Sequence, residues 1–453
     1  KYDVVCTNPP YMGRRNMNSK LANKLEKNYK DSSSDLFAVF MEMDRHLLKK
    51  QGFLSMINQH SWMFLSSFEK LREKIITNRT LYNLIHLGPH AFEEIGGEVV
   101  QSAAFSIRKI RISNYLCDYI RLVKWDNAKI KKIKAIKSFE DPKVSYRYSS
   151  ITANFKKIPG SPIAYWAGDN IFKWFKEYEA IGKKVEFRKG MGTGNNERFV
   201  RCWYEVDFNL IGFDFSSSKE AQVSKKKWFP YNNGGPFRKW YGNNNDVTNW
   251  ENDGKEVKKN ATLLNNGGHW SRYIASTSKF FYPGITWTAI SSDRFSVRYF
   301  GKGYLFSSAS MCGFGSDKDL LIIGALLNSN TSKIFLDIVS PTLNYGPRQI
   351  KKIPFSNKGY EVNLDIIKQN VKMSKTDWDS FETSWDFQKH PLLTNKNNAT
   401  SIEQAYNNWS YFTEAQFNQL KQNEEELNRI FIEIYGLQDE LTPEVEDKDI
   451  TIR

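Results

Sequence analysis

The sequence predicts an α/β domain on a partial, parallel or mixed sheet, followed by a mixed α+β region and a helical C-terminal region. Three observations carry this expectation. Residues 1–125 alternate short apolar strands with amphipathic helical stretches. Residues 161–355 are rich in Gly, Asn and aromatic residues, which favours short strands and long loops. Residues 361–453 return to helical periodicity. The length, 453 residues, exceeds what one ordinary core accommodates and predicts two or three domains.

The elements follow in order. Tyr2-Asp3-Val4-Val5-Cys6-Thr7 is an apolar strand that ends at Asn8-Pro9-Pro10. From Asp35 to Lys50, the spacing of Leu36, Phe37, Phe40, Met41, Leu47 and Leu48 predicts a helix, with Gly52 as its stop. Phe53 to Ile57 is a second short strand, and residues 67–78 form a second amphipathic helix. Leu81–Leu87 and Ser102–Arg108 are two further strands. Residues 126–160 read as a basic connector with little periodicity, and 161–355 as a domain of their own. One helix is expected over 317–336. Within the helical region 356–453, the last helix is the clearest. Leu427, Ile430, Phe431, Ile434 and Tyr435 share a face, and Gly436 is placed as its C-cap.

Composition narrows the function. No apolar run approaches the roughly 18 residues of a membrane span. The four cysteines, Cys6, Cys117, Cys202 and Cys312, lie far apart with no CxxC or Cys/His cluster. That spacing predicts reduced thiols in a cytoplasmic protein, without a zinc site. The six histidines form no metal-ligating motif, and no metal is expected. Charge is uneven. Residues 1–125 carry 19 basic and 12 acidic side chains, residues 126–360 carry 37 and 20, and residues 361–453 carry 9 and 18. A basic centre at net +17 beside an acidic tail at −9 points to nucleic acid as partner. A basic surface without a partner is the competing reading.

Asn8-Pro9-Pro10-Tyr11 carries the chemistry. It follows an apolar strand, where an α/β sheet places catalytic loops. The exocyclic amine of adenine is a poor nucleophile because its lone pair is delocalised into the ring. An Asn side-chain oxygen and an adjacent backbone carbonyl can accept both N–H protons and draw the nitrogen toward sp³. Two prolines fix the backbone that presents the carbonyl. A tyrosine ring offers a flipped base a stacking face.

With these residues in view, the chain resembles the amino-methylating DNA methyltransferases that carry an NPPY motif and a later target-recognition domain. It is most similar to the adenine-specific methyltransferases of BREX phage-defence systems, the PglX family. The resemblance implies a partial Rossmann-like methyltransferase sheet, with S-adenosylmethionine as methyl donor in the complete enzyme. It also implies double-stranded DNA as partner, and other phage-defence proteins as further partners. It places Asn8, Pro9, Pro10 and Tyr11 in catalysis and Asp35 and Phe37 at the cofactor. Phe92, in His90-Ala91-Phe92-Glu93-Glu94, matches the aromatic that stacks on the flipped adenine, and reads equally as a core residue. Leu87-Gly88 and Val99-Val100-Gln101-Ser102 flank it as the family's pattern asks. The family's glycine-rich cofactor loop should precede NPPY, and only seven residues do so. The chain is therefore expected to be the C-terminal part of a longer enzyme, missing its N-terminal methyltransferase segment. Its NPPY strand should be a bare sheet edge, with little cofactor binding or activity of its own.

Gly190 to Arg201 resembles the opening of such recognition domains, with Asn195 and Arg201 as candidate readers of base edges. A plain glycine turn is the alternative. Lys225-Lys226-Lys227-Trp228 and Arg238-Lys239-Trp240-Tyr241 interleave cations with aromatics, the cations suited to phosphate and the aromatics equally suited to a core. Arg348, Lys351 and Lys352 near the end of the domain are further phosphate candidates, or a solvated charge run. A non-catalytic DNA-recognition fragment and a piece of a methyltransferase–nuclease fusion are the rival functions. A scaffold docking other proteins through the acidic tail is a third.

Overall fold

A computed structural model of the chain describes residues 1–92, 100–291, 294–341 and 344–452. It divides into two compact units, Lys1–Glu177 and Tyr178–Arg453.

The first unit is α/β. Its elements are β1 (Tyr2–Thr7), α1 (Ser19–Asn28), α2 (Leu36–Leu47), β2 (Leu48–Gln59), α3 (Glu69–Asn78), β3 (Thr80–Gly88), β4 (Ser102–Arg108), β5 (Leu116–Arg121), α4 (Ala128–Glu140), β6 (Arg147–Ile151) and α5 (Asp169–Glu177). The six strands form one sheet in the order β1-β2-β4-β3-β5-β6. β1 runs parallel to β2, while β4 is antiparallel to both β2 and β3. The carboxyl ends of β1, β2 and β3 therefore meet at one end of the sheet. β1 is an edge strand, with Tyr2 and Val4 exposed at 62% and 60%.

Gly52 does not stop the helix. α2 ends at Leu47, and Gly52 lies inside the twelve-residue strand β2. A Cβ there would sit 2.9 Å from the Asp3 carbonyl oxygen, so the residue admits the close parallel approach of β1. Segment 126–160, expected as a basic connector with little periodicity, is part of the first unit. It supplies α4 and β6, and β6 closes the sheet against β5. Gly160 and Ser161 are bound in by Arg72, which is 1% exposed. Its guanidinium donates to the carbonyls of Trp62, Leu65, Gly160 and Ser161 at 2.6–3.2 Å. Burial pulls its pKa down to about 10. Local periodicity could not announce this, because the donor lies 88 residues from Gly160.

The second unit contains β7 (Glu179–Ala180), β8 (Glu186–Lys189), α6 (Asn196–Phe199), β9 (Val200–Cys202), α7 (Ser218–Val223), β10 (Trp228–Asn232), β11 (Asp246–Asn249), α8 (Glu251–Leu264), β12 (Gly284–Thr288), β13 (Arg298–Phe300), β14 (Leu305–Phe306) and β15 (Ser310–Phe314). α9 (Asp317–Asn328), α10 (Asn330–Val339), α11 (Pro347–Ile350), β16 (Pro354–Phe355), α12 (Leu364–Trp378), α13 (Pro391–Thr394) and α14 (Ile402–Tyr435) follow. Two four-stranded sheets, β14-β10-β11-β9 and β13-β12-β15-β8, enclose a core that includes Phe199, Phe229, Tyr231, Trp250, Phe281 and Phe306. Of the aromatics expected among the cations, Trp240 is buried, while Trp228 and Tyr241 are half-buried. The helix expected over 317–336 is two helices, α9 and α10, broken at Ser329. α14 is capped by Ser401 and ends at Gly436 in the left-handed region, φ 61°, where glycine carries no Cβ penalty. Among the described residues, no helix is long and apolar enough to cross a membrane.

Candidate active site

The loop Asn8–Tyr11 leaves β1 at the carboxyl end of the sheet, where Thr7 pairs with Met56 of β2. Asn8 and Pro10 are exposed, Pro9 is buried, and Tyr11 is half-buried. The Asn side chain is therefore presented outward from a backbone fixed on its far side by a buried proline.

Tyr11 is braced from beneath. Its ring meets Phe37 edge-on, with centroids 6.1 Å apart, and Phe37 packs in turn on Phe68 at 5.5 Å. Its hydroxyl points to the Ile57 carbonyl at 3.5 Å. Burial raises the Tyr11 hydroxyl pKa, with the Ser102 hydroxyl opposing it. The loop is held from behind by Asp35. Its Oδ1 accepts from the Met12 amide at 3.0 Å and, more weakly, from that of Phe37 at 3.4 Å. The Leu36 amide donates to the Met12 carbonyl at 3.0 Å. Burial raises the Asp35 carboxyl, opposed by the amides of Met12, Phe37 and Leu36.

This corrects the expectation for Phe37. Phe37 is fully buried and the half-buried Asp35 grips the catalytic loop, so both support that loop. β1 lies open at the sheet edge there.

Phe92 is half-buried and follows β3 at the same end of the sheet. With β2 and β4 between β1 and β3, the two loops stand about 14 Å apart across the sheet, three strand spacings. Glu93, Glu94 and Val99 lie outside the described residues. The floor between the loops is polar. Asn58 and Ser102 are fully buried, and the Asn58 side-chain amide has no hydrogen-bond partner among the described residues. Behind them His60 Nδ1 meets His86 Nε2 at 2.8 Å, and His86 Nδ1 meets the Tyr165 hydroxyl at 3.0 Å. Burial lowers the His60 pKa to about 4 and that of His86 well below its ordinary value. Sequence reasoning missed this layer. Its signal was the polar run Asn58-Gln59-His60 directly after an apolar strand.

The second unit sorts the expected DNA contacts. Arg238 and Lys239 are corrected. Arg238 pairs with Asp377 at 2.6 Å, with side chains 15% and 6% exposed. Lys239 pairs with Glu424 at 2.5 Å, at 10% and 4%. Both are buried ties between the strand region and the helical tail. Lys225 is exposed, Lys226 donates to the Asn209 carbonyl, and Lys227 lies over the Trp228 ring. Asn195 caps α6 by accepting from the Arg198 amide at 3.0 Å. Arg201 donates to the carbonyls of Glu197 and Val200. Arg348 and Lys351 are exposed, Arg348 within α11 and Lys351 just after it. No cluster of three or more metal-ligating side chains occurs among the described residues.

Comparison with known proteins fits this geometry. The family model described as Eco57I restriction-modification methylase matches residues 1–92, the segment from β1 to Phe92. The adenine-specific methyltransferase PglX of Lacticaseibacillus casei (strain Zhang) is 44% identical over all of this chain and 38% of its own length. The adenine-specific methyltransferase BrxX of Escherichia coli O9:H4 (strain HS) is 38% identical over 98% of this chain and 34% of its own length. The solved structure of the Type IIL restriction-modification enzyme MmeI in complex with DNA covers 97% of this chain and 55% of its own. Its TM-score is 0.52 and its identity 11%, a likeness of fold. The chain is a homologue of the PglX and BrxX adenine-specific methyltransferases and spans 38% and 34% of their lengths.

Proposed function

We propose that this chain is the base-orienting and DNA-recognising part of an adenine-N6 DNA methyltransferase of a phage-defence or restriction-modification system. The observation that carries the reading is the exposed Asn8, set on a proline-fixed loop at the carboxyl end of β1 beside a braced Tyr11. In the complete enzyme, S-adenosylmethionine supplies the methyl group. The part of this chain is to hold the acceptor. The Asn8 side-chain oxygen and the Pro9 carbonyl accept the two amine protons of a flipped adenine, which leaves its nitrogen lone pair free to attack. Tyr11 and Phe92 bracket the base. Cations of the second unit, the exposed Lys225, Arg348 and Lys351 and the half-buried Lys226 and Lys227, hold the duplex by its phosphates. Asn195 and Arg201, near the Gly190–Gly194 loop, contact the duplex beside them.

The open edge of β1 supports a second reading for the isolated chain, a DNA-recognition fragment that binds without methylating. Further strands would have to pair with β1 to complete a cofactor site. The test uses Asn8→Ala in the full-length enzyme. Methylation is expected to vanish while duplex affinity is largely kept, because phosphate contacts supply most of it. Normal methylation of DNA by the variant overturns the assignment.

A further inference from the structure

Helix α4 is built inside out. Its buried side chains are Lys131 and Ser138, while Ile130, Ile133, Ile136 and Phe139 are 44%, 64%, 48% and 66% exposed. A surface helix ordinarily does the reverse. The orientation is fixed. Lys131 Nζ donates inward to the carbonyls of Leu87 and Pro89. Arg147 Nη1 holds the Ser138 carbonyl at 2.7 Å, the Tyr146 hydroxyl holds that of Lys134 at 3.1 Å, and Asn127 caps the first turn. Rolling the isoleucines inward would strip Lys131 of its partners.

Single exposed apolar residues need no explanation. Four on one thirteen-residue helix do. Successive members are three residues apart, and each step falls about 60° short of a turn, so they run obliquely across the outer face. The exposed Lys129, Lys132 and Lys137 lie among them, while Lys134 is turned aside over Trp125 and Tyr146.

We propose that the outer face of α4 is a docking surface for an acidic amphipathic helix of a separate protein. The charge selects the occupant. Residues 124–143 hold seven lysines against Asp126, Glu140 and Asp141. Two copies of this face would bring lysine against lysine. Duplex DNA would satisfy the lysines and leave three isoleucines and a phenylalanine against phosphate and water. An apolar ridge flanked by carboxylates buries the isoleucines and pairs the lysines together.

The probe is a synthetic amphipathic peptide, leucine along one helical face and glutamate along its flanks, labelled and titrated with the full chain by fluorescence anisotropy. Saturable binding is expected. It should weaken at least about tenfold in Ile133→Ser/Ile136→Ser, as for a truncated interface anchor, and weaken also as salt rises. Both isoleucines are exposed, and circular dichroism checks that the variant folds. Four outcomes overturn the proposal. One is no saturable binding, or equal binding by the variant. Another is equal binding of a control peptide with serine for leucine. A third is an isoleucine-dependent association with phosphatidylserine vesicles or a DNA duplex in place of the peptide. The fourth is sedimentation of the chain as a dimer that the double substitution dissociates.

Discussion

Replacing Glu424 with leucine is expected to destabilise the second unit by about 4 kcal/mol, for reasons set by three side chains. Glu424 is 4% exposed, and its two carboxylate oxygens are both used. Oε2 takes Lys239 Nζ at 2.5 Å and Oε1 takes Trp240 Nε1 at 2.6 Å. Leucine fills much of the same volume, so the loss is electrostatic. The Lys239 ammonium stays buried without its counter-ion, which costs about 3–5 kcal/mol. The indole N–H also loses its acceptor, typically about 1–3 kcal/mol, overlapping with the first because both relax toward the same entering water. Lys333, half-buried, has its pKa lowered by burial and by Lys239, so it adds repulsion. About 4 kcal/mol corresponds to a fall in melting temperature on the order of 10 °C for a unit of this size. The companion variant is Lys239→Met/Glu424→Leu, which removes both charges. It should return to within about 1–2 kcal/mol of the parent, far less than the sum of the two single losses, each about 3–5 kcal/mol. Urea unfolding followed by tryptophan fluorescence measures all four corners of the cycle. The same double variant, titrated with one duplex at several salt concentrations, should keep the parental slope of log K against log salt. The reasoning fails if Glu424→Leu unfolds like the parent. It fails equally if Lys239→Met leaves stability intact and lowers the salt slope by about 0.9, the signature of one phosphate no longer neutralised.

Acid should weaken the first unit through His60 and His86. Their folded pKa values are depressed by burial, so they resist protons that the unfolded chain accepts near pH 6.5. Their stabilisation is complete above pH 6.5 and is lost as pH falls. His60 alone accounts for about 3 kcal/mol between 6.5 and its folded value near 4, measurable as a steep pH slope of urea unfolding that His60→Gln/His86→Gln flattens. Replacing Lys225, Lys226 and Lys227 together with glutamine should reduce the salt slope of duplex binding by about 0.9 for each phosphate that these lysines neutralise. An unchanged slope in a folded variant would place the DNA elsewhere, around Asn195, Arg201 and Arg348. The isolated chain should bind S-adenosylmethionine weakly or not at all, and micromolar affinity by calorimetry would overturn the view that β1 needs further strands beside it.

What the sequence made legible was local. The bounds of β1 and β4 agree residue for residue with the runs Tyr2–Thr7 and Ser102–Arg108, because apolar strands ending in Pro or polar clusters announce themselves. Gly436 was readable as a cap for the same reason, since a positive φ after a periodic helix asks for glycine. Gly52 misled because a glycine after a helix and a glycine at a close strand approach look alike until β1 is known to lie against it. Phe37 misled differently. Its spacing from the catalytic loop was informative, but whether it faces a ligand or the loop itself is decided by burial, which one sequence does not display.

The charge asymmetry teaches the deeper limit. Net +17 beside −9 was read as a surface for phosphate. Yet part of that asymmetry is consumed inside the second unit. Arg238 finds Asp377 at a separation of 139 residues, and Lys239 finds Glu424 at 185. Arg294 likewise reaches Asp449. Basic middle and acidic tail are thus partly two halves of one set of ion pairs, and counting cations overstates what remains for DNA. Among the candidate phosphate contacts, Lys225, Lys226, Lys227, Arg348 and Lys351 make no ion pair with a carboxylate among the described residues, and these are the ones to weigh. If DNA affinity tracks these and ignores Arg238 and Lys239, the basic middle serves two purposes that only burial separates. If affinity falls with Arg238 or Lys239 while the fold survives, those pairs must open on the duplex, and the acidic tail would then compete with DNA for the same cations.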